Sequence, residues 1–212
     1  DGWYIILRKK DELAIDKILN CSLDEFMQKG FEGASMRIIA ENAGYSTGIL
    51  YSRFSDKDEL FKVLVKDAAD ELYTYFVNAQ TEFASFDPKQ QYTEMHSYVS
   101  EKVEGFLKII YSHFKEFKLI ICKSKGSKYE NYVDSLIDIE VQNTIRFINQ
   151  LNDANIYVRE VRVDLIHMLT TSMFSGIFEV VAHDLSFDEA RKYILELYSF
   201  FNAGWDKILG FN

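Results

Sequence analysis

Helix-breaking residues are scarce in this chain, with one proline (Pro88) and ten glycines in 212 residues. Sandwiches and barrels need many more reversals, so this scarcity disfavours them. Cysteine is nearly missing as well: Cys21 and Cys122 stand about a hundred positions apart, with no CxxC pair. That spacing argues against a disulfide framework or a zinc site and fits a reducing, cytoplasmic compartment. No uncharged run exceeds the 14 residues of Leu165–Phe178, a length that reads as a buried core helix rather than a membrane crossing. The opening stretch Asp1–Leu7 has no basic region ahead of its apolar residues, which is the wrong order for a secretory signal. Surplus positive charge is also lacking, since the net charge is −9. Whole-chain charge is a poor guide to nucleic-acid binding, because affinity depends on the few cations that reach phosphate.

What is present is apolar and aromatic: 48% of residues are hydrophobic and 15% aromatic. Such a chain buries enough surface to offset its entropy and is not disordered. Apolar residues recur at spacings of three and four, and strand-like alternation is nowhere sustained, so the predicted fold is all-α. Residues 11–29 read as a first helix with Ile15, Ile18, Leu19, Ser22 and Phe26 on one face, ended by Gly30. Ser35 offers an N-cap to a short second helix bearing Met36, Ile39, Ala40 and Ala43, which Gly44 interrupts. Ser46 can cap a third helix, 47–54, with Ile49, Leu50 and Phe54 predicted to point inward. Asp56 and Glu59 form a capping-box-like pair at the head of a long fourth helix, 56–84. The main break falls at Pro88, and further helices are predicted at about 93–122, 128–152, 160–183 and 187–209.

Two short helices joined by a tight glycine-containing turn and packed on a first helix describe a helix-turn-helix. The second of the pair would lie in the major groove with Thr47, Gly48, Tyr51 and Ser52 outward. These are small or hydrogen-bonding groups, suited to close approach to phosphates and base edges. Arg37 and Lys57 stand near helix N-termini, where a cation opposes the helix dipole. The third helix begins without an acid, leaving its first N–H groups to a phosphate.

The stretch Ile18–Phe61 resembles the DNA-binding region of the TetR family of bacterial transcriptional regulators (TetR/AcrR-like). The resemblance rests on Lys29-Gly30-Phe31, a Ser near Arg37, Ile39-Ala40 with Ala43-Gly44, and then Ser46, Gly48, Leu50-Tyr51, Phe54, Lys57 and Glu59-Leu60. It implies DNA contacts from Ser35, Arg37, Ser46, Thr47, Gly48, Tyr51, Ser52 and Lys57. It also implies a helix-turn-helix domain over 8–60 and an all-helical ligand-binding and dimerisation domain over 61–212, linked by the fourth helix.

The resemblance also implies that the last two helices pair with their copies in a second chain, and the residues agree with a partner surface there. Leu165–Phe178 is apolar almost all round, and the last helix carries a broad apolar stripe. One helix cannot bury two apolar faces against a single small core. The expected dimer residues are Leu169, Met173, Gly176, Ile194, Leu197, Phe201 and Trp205. Aromatics after residue 92 exceed what a slim bundle needs. Phe106, Phe117, Phe147 and Phe174 could line a cavity for a small apolar or aromatic effector, with His113 or His167 as an orienting polar group. The Lys-rich stretch Cys122–Tyr132 reads as a solvated connection or a gate to that cavity.

Catalysis is not expected. Gly44-Tyr45-Ser46-Thr47-Gly48 matches the serine-hydrolase elbow, but that chemistry needs a strand-to-helix turn, and no strand can be drawn here. The four His show no metal-binding spacing, so neither metal nor cofactor is expected. The sequence thus predicts a homodimeric, ligand-responsive repressor on a near-palindromic operator. A helical small-molecule-binding protein or adaptor with a vestigial helix-turn-helix is the alternative.

Overall fold

The computed structural model describes the backbone of residues 2–211 and the side chains of residues 13–211. Asp1 and the side chains of the opening stretch read above lie outside the described residues. Among those described, the chain forms nine helices and no strand. They are α1 (Gly2–Gly33), α2 (Met36–Ala43), α3 (Thr47–Arg53), α4 (Lys57–Ser85), α5 (Pro88–Ser112), α6 (Phe114–Cys122), α7 (Tyr132–Asp153), α8 (Val163–Ala182) and α9 (Phe187–Leu209).

The glycines end helices where predicted, and three other predicted boundaries differ in detail. Gly30 kinks α1 at φ 69° and ψ 171°, and Gly44 ends α2 in the left-handed region at φ 75°. Asp56 Oδ1 accepts the Glu59 N–H at 2.8 Å, but the Glu59 carboxylate turns to Lys62 rather than back to the cap. Pro88 opens α5 instead of merely ending α4. Asp87 caps it by accepting from the Lys89 and Gln90 N–H groups, and proline is favourable in a first turn, where its missing donor costs nothing. The helix predicted over 93–122 is two helices, broken at His113, whose ψ of 40° leaves the helical region. Ser186 and Glu189 form a reciprocal capping box at the head of α9.

Two compact units result. One comprises residues up to Asp67 together with Lys115–Glu130, and the other Ala68–Phe114 with Asn131–Asn212. The sequence expectation of a single boundary near residue 60 therefore misses α6, which joins the N-terminal unit. There the Phe31 N–H donates to the Lys123 carbonyl at 2.7 Å, and the Lys128 N–H donates to Asp58 at 3.0 Å. The Lys-rich stretch, as far as Glu130, belongs to the first unit. The core of this unit is built on Ile18, Phe26, Ile39, Leu50, Leu60 and Phe61, with Phe26 edge-on to Phe61 at 5.0 Å. Packing of this kind supplies most of the stability of helices as short as α2 and α3.

In the second unit Phe76 meets Phe106 and Phe174 edge-on, and a further cluster gathers Phe147, Leu151, Val158 and Leu209. Among the described residues α8 alone is long and apolar enough to cross a bilayer by length and composition. Ile166, Met173, Phe174, Ile177, Phe178, Val180 and Val181 on it are buried within the unit.

Candidate nucleic-acid interface and effector cavity

The corner between α2 and α3 is fixed by backbone and caps. The Gly44 N–H returns to the Ala40 and Glu41 carbonyls, and the Tyr45 N–H to Ala40 at 2.9 Å. Ser35 Oγ accepts the Ile38 N–H and Ser46 Oγ the Ile49 N–H, each at 3.4 Å. Glu25, buried in the unit, accepts the Ser35 N–H at 3.1 Å and locks α2 against α1. On the inner side Ile39, Ala43, Leu50 and Phe54 are buried.

The outer side holds Arg37, Gly48, Tyr51 and Ser52 in solvent, with Thr47 half-buried and Tyr51 51% exposed. Ile49, expected inward, is instead exposed beside them. In a seven-residue helix Leu50 and Phe54 take the whole inner face, leaving Ile49 on the flank. No acid stands in the first turn of α2 or α3.

The hydroxyls differ in what they keep. Ser35 and Ser46 accept through oxygen and retain an O–H to donate outward, whereas Ser52 spends its O–H on the Ile49 carbonyl at 2.8 Å. Gly48 needs no explanation from inside the protein. A Cβ built there would meet nothing closer than Ser46 Oγ at 3.9 Å. Lys57 is turned inward, donating to the carbonyls of Glu32 and Ala34 and lying 4.6 Å over the Phe31 ring.

The second unit contains a cavity of about 170 Å³. Phe106, Phe147 and Phe174 line it, together with Phe76, Phe83 and Trp205. The other three expected ligand residues do not. Phe117 on α6 is buried in the first unit. His113 ends α5 and pairs with Glu71 at 2.9 Å. His167 sits on the exposed side of α8.

The polar residues that do line the cavity escaped sequence reasoning. Glu140 accepts from Gln80 Nε2 at 2.5 Å, and burial raises its pKa to about 7. Burial also raises the Tyr198 phenol, with Glu140 adding to the effect. Gln91 donates to the Phe83 carbonyl and to Gln150, leaving its buried Oε1 without a partner. A signal was available: Glu140 shares the apolar stripe of α7 with Ile137, Val141 and Phe147, as Gln80 shares that of α4 with Phe76 and Phe83.

The expected dimer residues largely face their own subunit. Met173, Ile194 and Phe201 are buried, Leu169 is half-buried, and Trp205 lines the cavity. Gly176 admits Leu197 of α9, which would lie 3.0 Å from an added Cβ. Both helices carry two apolar faces, and periodicity alone does not say which is inner. The outer faces present Leu165 and Met168 on α8, and Leu195 and Phe200 on α9.

A three-helix head with a reading helix in solvent, carried on a chain that is otherwise all helical, defines a helix-turn-helix DNA-binding protein. Comparison with known proteins extends this. Residues 18–64 match the family model of bacterial regulatory proteins, tetR family. The HTH-type transcriptional regulator YfiR of Bacillus subtilis (strain 168) is 22% identical over 176 residues, 82% of each chain. IcaR of Staphylococcus aureus (strain Newman), named as the negative transcriptional regulator of the biofilm operon icaADBC, is 24% identical, over 61% of this chain and 77% of its own. The fold matches the crystal structure of a TetR-like transcriptional regulator from Rhodococcus sp. RHA1 with a TM-score of 0.56. That match is at 20% identity and covers 90% of this chain and 96% of the other. The head thus matches the DNA-binding domain of the TetR family, and the chain as a whole is similar to TetR-family transcriptional regulators in sequence and fold.

Proposed function

We propose that this regulator is a cytoplasmic, homodimeric repressor released from its operator by a small molecule bound in the second unit. The observation that carries the reading is the outer face of α3. There Gly48, Tyr51 and Ser52 stand in solvent on a helix whose inner side is fully packed. In the bound state α3 of each protomer enters a major groove, the two spaced ~34–36 Å apart on a near-palindromic site. Arg37, Ser35, Ser46 and Lys57 contact phosphate, Tyr51, Gly48 and Ser52 line the groove, and Thr47 reads a base edge. That a relative is named as a negative regulator supports repression.

Release is carried by α4. Its first part, to Asp67, belongs to the head, and its later part lines the cavity from Tyr75 to Ala84. A ligand that prefers the released state by ~1.4 kcal/mol lowers DNA affinity tenfold. A vestigial helix-turn-helix on a binding protein or adaptor would show no such behaviour. The test is selection of DNA from a random pool by the full chain, followed by anisotropy at several salt concentrations. Each phosphate contact adds ~0.9 to the log–log slope. Failure to enrich a two-fold symmetric site overturns the reading.

A further inference from the structure

The cavity carries a charge that the protein leaves unmatched. Glu140 lines its wall, and the only partner of its carboxylate among the described residues is the neutral amide of Gln80. Lys102 also lines the wall, but its ammonium is 3.0 Å from Glu82, 3.9 Å from Glu101 and 4.9 Å over the Tyr98 ring. The local balance of fixed charge is therefore negative.

The wall also offers acceptors to a donating ligand. Gln91 places both amide N–H groups, and Tyr75 and Tyr98 their O–H groups, on protein acceptors, and Gln80, Gln150 and Asn143 each donate one N–H. Among the wall's acceptors, the remaining lone pairs of Glu140 and the buried Oε1 of Gln91 have no partner among the described residues. The rest of the wall is aromatic, and ring faces attract cations. An apolar cavity of about 150 Å³ accepts a benzene-sized ring, so about 170 Å³ suits one ring with a short arm.

We propose that the effector is a compact organic cation of the arylalkylamine type, its ammonium against the Glu140 carboxylate and its ring among Phe76, Phe83, Phe106 and Phe147. The inference rests on the reading of this cavity as the effector site. The amine supplies the positive charge and the N–H donors that the Glu140 carboxylate can accept. It also holds Glu140 ionised, where burial alone raises its pKa to about 7. Other titratable groups on the wall keep one charge state between pH 6 and 8. Tyr75, Tyr98, Tyr198 and Lys102 are shifted up and stay protonated, and Glu82, which pairs with Lys102 outside the lining, is shifted down and stays ionised.

The experiment titrates 2-phenylethylamine, 2-phenylethanol and 3-phenylpropionate into the full chain by calorimetry, with Trp205 fluorescence as a second readout. At pH 8 the amine binds at least about tenfold tighter than the alcohol, and the carboxylate binds weakest. Glu140→Gln abolishes the preference for the amine while still taking the alcohol, which shows that its cavity is intact. An alkylamine stays protonated throughout, so its affinity for the unaltered protein falls about tenfold per pH unit below 7 as Glu140 takes up a proton. Equal binding of amine and alcohol, tightest binding of the carboxylate, a preference that survives Glu140→Gln, or no binding by any of the three overturns the inference. The effector reading is judged separately, by whether filling the cavity with Ala79→Phe changes DNA affinity. No change there removes it.

Discussion

The ammonium of Lys57 lies 3.2 Å from the carbonyl oxygen of Ala34, just past the end of α1, and equally close to that of Glu32. A cation at the start of α4 opposes that helix's own dipole, which from sequence alone argues for a phosphate partner. The structure supplies a second reason: Lys57 satisfies carbonyls at the end of another helix, where positive charge is favourable. Lys57→Ala therefore has two separable effects. Thermal melts of the free protein should show a loss of about 1 kcal/mol. DNA binding should weaken by a similar factor on different operators, with the salt slope falling by ~0.9. A slope that does not move assigns Lys57 to the fold alone.

Gly48 offers the cleanest separation of binding from stability. It sits within α3 with open space where a Cβ would go, so alanine fits the free protein and strengthens the helix by up to ~1 kcal/mol. If duplex DNA approaches this face closely, the added methyl intrudes. Gly48→Ala should raise the melting temperature slightly and lower operator affinity at least about tenfold. Unchanged affinity would mean that DNA does not come close at this position.

Much of this architecture was legible because it is local. Ser35, Gly44, Ser46 and Asp56 announce helix ends through chemistry confined to a few residues, and the head was readable from them. Features that depend on which surfaces meet were not. Whether α6 joins the head or the bundle is decided by contacts such as Phe31 with Lys123, about ninety positions apart. The same limit explains Phe117, a core aromatic whose periodicity looks alike in either unit. Glu140 was readable in principle, since a carboxylate on an apolar stripe has to face something.

Phe200 tests the proposed dimer from the side that the structure leaves open. It is 74% exposed on α9, and Met168 on α8 is 65% exposed, whereas Ile194 and Phe201 are buried in the subunit. Phe200→Glu costs little in an isolated subunit but places a charge in any interface formed by the outer faces of α8 and α9. Sedimentation should show the variant as a folded monomer with its helical circular dichroism intact. Ile194→Glu should instead unfold the second unit. A Phe200→Glu protein that still sediments as a dimer would place the interface elsewhere.

Glu140 makes stability fall as pH rises. In the unfolded chain its pKa returns to the ordinary 4.5, while in the fold burial raises it to about 7. Between those values the native state holds a proton that the unfolded state has released, so each step upward in pH costs stability. At pH 8 the full shift, ~3 kcal/mol, works against the fold. Glu140→Gln keeps the hydrogen bond to Gln80 and removes the ionisation. The variant should therefore be more stable than its parent at pH 8 by an amount of that order, with the difference closing as pH falls toward 4.5. Urea melts at pH 5, 6.5 and 8 measure it directly. Parallel stability at all three pH values would show that the carboxyl ionises freely where it sits, and that the cavity wall is wetter than its lining of rings implies.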